Sequence, residues 1–126
     1  MITFLEKNRT LAWVITIGIA LFIFYMSSRS FDGVGAKGPL SYVYHFSVFF
    51  VFAGFFLIAA TQGKLQIELF VLSLGIAVMY GITDEIHQFF VPGRYTDIID
   101  VITNSIGILS VGILYRIRCV RNGFFK

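Results

Sequence analysis

Charge is what this sequence has least of: among 126 residues, ten are Lys or Arg and seven are Asp or Glu, 13% in all. Soluble domains run nearer a quarter charged, so a water-facing surface cannot be built from so few such side chains. Cysteine occurs once, at Cys119, which excludes an internal disulfide. The residue is expected in a cytoplasmic tail as a reduced, unremarkable thiol, although a juxtamembrane Cys can be acylated. Proline occurs only at Pro39 and Pro92, both in breaks between apolar runs. There is no His-Glu-x-x-His pair of the kind that binds zinc on one helix face. No Ser or Cys stands out as a nucleophile, and the basic residues form no face on a polar domain, which argues against nucleic acid as a partner.

What is abundant is apolar: 57% hydrophobic residues, among them fifteen Phe and six Tyr, and a mean hydropathy of +0.83. Four stretches carry it, Thr10 to Ser28, Ser41 to Thr61, Leu65 to Phe90 and Asp97 to Tyr115. About twenty helical residues cross a hydrocarbon core, so each is long enough to span. The expectation is a single all-α domain over 1–126, a polytopic transmembrane four-helix bundle. Lys7 and Arg9 ahead of the first run imitate a signal peptide, but no Ala-x-Ala-like site follows, and the run reads as an uncleaved span. The break from Arg29 to Leu40, with Gly33, Gly35, Gly38 and Pro39, is loop chemistry. Gln62-Gly63-Lys64 is a turn tight enough to force the second and third spans antiparallel.

Lys and Arg set the orientation. With both termini inside, Lys7, Arg9, Lys64, Arg116, Arg118, Arg121 and Lys126 are cytoplasmic, against Arg29, Lys37 and Arg94 outside. The segment Arg116 to Lys126 reads as a topology anchor at the inner leaflet. The expected location is the cell membrane, multi-pass.

The third span runs directly into Asp84-Glu85-Ile86-His87-Gln88 before Pro92-Gly93 turns the chain, and Arg94, Asp97, Asp100 and Asn104 follow. Helical offsets of three and four put Asp84, His87 and Gln88 on one face, with Glu85 on its shoulder, and Asp97, Asp100 and Asn104 on another. Four carboxylates facing lipid at mid-depth would cost on the order of 10 kcal/mol, so they belong near the interface or turned toward one another. His45, near the start of the second span between Tyr42 and Tyr44, joins them from the same outer side, as do Ser27 and Ser28.

Some of these residues have plain structural roles available. Thr96 or Asp97 makes a good helix N-cap, with Asp100 in the first turn favoured by the helix dipole. Arg94 can neutralise Asp97 or Asp84, and Asn104, Ser105, Gly107 and Gly112 can serve helix packing. A cap needs one polar residue, not four in a turn, so a functional site is expected here. Its chemistry stays open. A metal could be held by Asp84, His87, His45 and Asp100. Glu85 beside His87, with Asp100, are the candidate catalytic groups for acid–base work at a lipid headgroup. Arg94 can take a phosphate or carboxylate bidentately, and His45, Asp84, Gln88, Arg94, Asp97 and Asn104 are the candidate ligand-binding residues. No cofactor is expected; a metal requirement and a homo-oligomer remain open.

The run from Asp84 to Arg94, followed by Asp97, Asp100, Asn104 and Gly107, resembles the signature of the VanZ-like family of small membrane proteins, with a weaker echo in His45-Phe46 and Ser27-Ser28. Where that family commonly carries a basic residue three positions before the His, this chain has Tyr42, which passes any anion-binding role there to Lys37 or Arg29. The resemblance implies a prokaryotic cell-membrane protein handling a cell-envelope component, an envelope lipid or peptidoglycan precursor. It also implies an antibiotic-resistance setting for the namesake, which is linked to the glycopeptide teicoplanin. A non-catalytic scaffold or binding subunit is the alternative.

Overall fold

The computed structural model describes residues 1–30, 38–94 and 96–123, and among them the chain is all-α. Gly33, Gly35, Lys37 and Lys126 lie outside these residues. Five helices follow in order: α1 (Ile2–Lys7), α2 (Arg9–Ser27), α3 (Pro39–Thr61), α4 (Ile67–Phe89) and α5 (Ile98–Arg121). The four longer ones are each long and apolar enough to cross a membrane.

Most boundaries shift by one or two residues, α4 beginning at Ile67 and not Leu65, and two shifts have consequences. Pro39 and Leu40, assigned to the break, open α3 instead, because Gly38 is extended and Pro at the first helical position loses no hydrogen bond. The last helix does not stop at Tyr115; it carries Arg116, Arg118, Cys119 and Arg121 to its end. Cys119 is therefore no tail thiol: it is fully buried, packed with Leu5 and Tyr115, a setting closed to acylation.

Side-chain contacts fix the register. Tyr80 Oη donates to the Ala20 carbonyl at 2.6 Å and Gln88 Nε2 to Ser27 Oγ at 3.3 Å, so α2 and α4 run parallel. His45 meets Asn104 while Thr61 meets Tyr115, so α3 and α5 are parallel as well. The chain thus runs up and down four times. Helix α3 is central, touching all the others, and its buried Phe49, Phe52 and Phe56 form the core with Ile23, Ala77 and Ile108. Large apolar side chains such as Leu21, Phe22, Val71, Leu72, Ile113 and Leu114 point outward, a surface suited to lipid and not to water.

Close approach of α3 and α5 depends on Gly107, where a Cβ would stand 2.5 Å from the Phe46 carbonyl oxygen. The α3–α4 turn uses left-handed backbone at both Gln62 (φ 52) and Gly63 (φ 78). It is tied to α5 by Gly63 N–H donating to Tyr115 Oη at 3.1 Å. At the same end of the bundle, α1 is held by an ion pair between Glu6 and Arg118, the second contact of which measures 3.1 Å. Arg118, expected as an anchor for the inner leaflet, is a structural partner of α1.

Candidate functional site

Polar side chains gather at the opposite end, where α2 and α4 finish and α3 and α5 begin. His45, on the second turn of α3, is the hub. Its Nδ1 lies 3.0 Å from Asn104 Oδ1 on α5 and 3.5 Å from Glu85 Oε1 on α4. Its Nε2 lies 4.0 Å from Asp100 Oδ2, and the ring of Tyr44 meets it edge-on. Since an amide oxygen can only accept, Nδ1 carries the proton in that contact, and a neutral ring keeps its lone pair at Nε2. All four residues are buried, Asn104 to 1% exposure and Glu85 to 5%. Removing a carboxylate from water costs several kcal/mol unless a cation or donors replace the solvent, so three buried carboxylates (Asp84, Glu85, Asp100) within one end of a bundle demand compensation.

A second row faces α2. Gln88 Nε2 donates to Asp84 Oδ2 at 2.9 Å and reaches Ser27. Arg94 Nη2 donates to the Met26 carbonyl at 2.6 Å, and its charge is close enough to be felt at Glu85 and Tyr44. His87 Nε2 stands 2.9 Å from Ser28 Oγ, with its ring stacked on Phe24. Ser28 Oγ also donates to the Phe24 carbonyl at 2.7 Å. Its one proton being committed, Ser28 accepts from the ring, which is the reverse of what activates a serine nucleophile.

Between the end of α4 and the start of α5 a groove of about 350 Å³ opens outward, lined by Ile86, Phe89, Phe90, Ile98 and Val101, with Glu85 and Asp97 among its walls. Its apolar sides lead to carboxylates.

Set against the expected site, the structure brings His45, Glu85, Asp100 and Asn104 together, and Asp84 with Gln88. It turns His87 away from Glu85, toward α2. Residues two apart on a helix do not face each other, and that rule separates the two. Of the expected metal donors, His45 and Asp100 are joined by Glu85: one donor atom from each of these three lies within 4.8 Å of the others. Asp97 is the N-cap of α5, its Oδ1 accepting from Ile99 N–H at 3.1 Å. Ser28 was expected on the polar face, but Phe24 and Met26 were legible only as the end of a span; nothing in the spacing shows that α2 lies against His87 and Arg94.

Fold and site together define a small all-α membrane protein with a buried ionisable centre at one end of its bundle. The family model for VanZ/LLP1 matches residues 5–119, nearly the whole chain and all of the centre. The chain belongs to the VanZ/LLP1 family. Searches of the curated proteins and of the solved structures found no match.

Proposed function

We propose that this VanZ/LLP1 protein is a multi-pass cell-membrane protein with both termini in the cytoplasm, and that its polar end, on the outer face, takes the polar head of a cell-envelope component. That component is a membrane lipid or a lipid-linked wall precursor. The observation that carries this reading is the groove whose apolar walls end at Glu85 and Asp97. An acyl-bearing molecule can keep its chain along Phe89, Phe90, Ile98 and Val101 while its head reaches the carboxylates, His45 and the Arg94 charge. Arg94 suits an anionic head, since a guanidinium binds phosphate and carboxylate through paired donors. His45 between Glu85 and Asp100 is a group able to move a proton there.

Sidedness is supported by the distribution of basic residues: Lys7, Arg9, Lys64, Arg116, Arg118 and Arg121 stand at the α1 end, Arg29 and Arg94 at the polar end. A cysteine at the exposed Phe90, in a Cys119→Ala background, is expected to react with a membrane-impermeant maleimide in intact cells. One at Lys64 is expected to react only after permeabilisation. The reverse pattern would put the polar end in the cytosol and remove an envelope ligand.

Function at the centre is tested with Glu85→Gln and His87→Ala. Both proteins are expected to insert and fold. In cells deleted for the gene, Glu85→Gln should fail to restore the wild-type envelope phenotype, and purified Glu85→Gln should retain less envelope lipid by mass spectrometry. Incubation of the wild type with extracted envelope lipids separates turnover from binding, because turnover changes their masses. Full function in both variants would leave the scaffold reading in place.

A further inference from the structure

We infer that His45, Glu85 and Asp100 form a binding site for a divalent transition-metal ion of the manganese or zinc class. The three residues come from α3, α4 and α5, so their convergence is a product of the fold, not of one helix face. Bonds from such ions to nitrogen and oxygen run about 2.0–2.4 Å, which places two ligands of one ion up to about 4–4.8 Å apart when they stand opposite each other. His45 Nε2 and Asp100 Oδ2 are 4.0 Å apart, and a donor from each of the three residues lies within 4.8 Å of the others.

The second observation is independent of that spacing. Glu85 is 5% exposed, and among the described residues neither of its carboxylate oxygens has a hydrogen-bond partner. Its nearest basic contact is His45 Nδ1 at 3.5 Å, whose proton Asn104 Oδ1 already accepts at 3.0 Å. A carboxylate buried in that position requires either a proton or a nearby cation, and a metal ion is the cation that His45, Glu85 and Asp100 can share. Asn104 supplies what a metal-binding imidazole also needs, an acceptor on the far nitrogen that fixes the tautomer and aims Nε2. Two carboxylates and a neutral imidazole carry a charge of −2, which a dication cancels.

The donor types narrow the ion. Imidazole favours transition ions over magnesium and calcium, while carboxylates without thiolate disfavour copper(I). Three protein ligands leave positions for water or a substrate oxygen, as in metal sites that do chemistry, and the groove opens at Glu85.

The test uses tag-free protein in detergent, treated with EDTA, desalted and titrated with Mn²⁺ or Zn²⁺. About one ion per chain is expected to be retained, with a rise in the thermal midpoint, since the ion binds only the assembled bundle. Manganese bound this way should show nitrogen coupling from His45 in its pulsed EPR spectrum. Glu85→Gln and Asp100→Asn, which keep side-chain shape, should each weaken binding at least about tenfold, while Glu68→Gln, an exposed carboxylate at the other end of α4, binds as the wild type does. A wild-type protein that retains neither ion, or bound manganese without nitrogen coupling, would overturn the site. So would wild-type affinity in both Glu85→Gln and Asp100→Asn. Envelope lipid retained by metal-free protein would count against a metal role in ligand binding while leaving the envelope reading intact, so the two can fail separately.

Discussion

Gly107→Ala is expected to lower stability by about 1–3 kcal/mol and to blunt the polar centre, whereas Gly75→Ala does neither. The Cβ at 107 would stand 2.5 Å from the Phe46 carbonyl oxygen, and carbon–oxygen contacts in proteins close only to about 3.3 Å. Backbone cannot step aside as a side chain does. Helices α3 and α5 must therefore separate by roughly 1 Å, and the contact at stake lies next door: His45 precedes Phe46, and Asn104 sits one turn before Gly107. A separation of that size takes the 3.0 Å His45–Asn104 hydrogen bond beyond bonding distance. Gly75 is also helical, but a Cβ there meets nothing within 4 Å, so its substitution tests glycine content without the contact. Unfolding by SDS titration in mixed micelles measures the stability, and the envelope phenotype reports the centre. Equal midpoints for Gly107→Ala and the wild type would mean that the two helices do not need this approach.

The second large effect is expected at the far end. Arg118→Met should destabilise the bundle by about 3–5 kcal/mol, because it leaves the Glu6 carboxylate, 6% exposed at its side chain, without its cation. A charge stranded in this way costs more than the pair contributes. The double variant Glu6→Gln with Arg118→Met should consequently regain most of the loss, which a double-mutant cycle reads directly. Because Arg118 makes the polar contacts of α5 with Glu6 and Thr3 of α1, Arg118→Met should also speed tryptic cleavage at Lys7 in detergent. If Glu6→Gln and Arg118→Met are additive, the ion pair does not hold α1.

Much of this architecture could be read from the chain. Runs of about twenty apolar residues have no soluble solution at this charge content, so the four long helices follow from composition and length. Their ends were less legible. Pro39 signals a break in general and a helix start in particular, and only the extended Gly38 before it selects the second meaning. Helix α1 was invisible because six residues cannot form a stable helix alone; burial of Leu5 and the Glu6–Arg118 pair hold it.

The candidate centre divides in the same way. Asp84, Glu85, Gln88, Asp100 and Asn104 announced themselves as ionisable or amide groups in spans too apolar to leave them facing lipid. Pairing Glu85 with His87 ignored the half-turn between them, and the fold assigns each to a different neighbour: His45 for Glu85, Ser28 and Phe24 for His87.

Sequence by itself determined that this is a membrane protein, that four of its helices are long and apolar enough to cross a bilayer, and that its ionisable groups cluster toward one end, because hydropathy and charge cost act on each segment separately. Which of those groups meet was decided only by the tertiary structure. Helix rotation and the glycine-permitted approach of α3 to α5 set those distances, and both are properties of several segments packed at once.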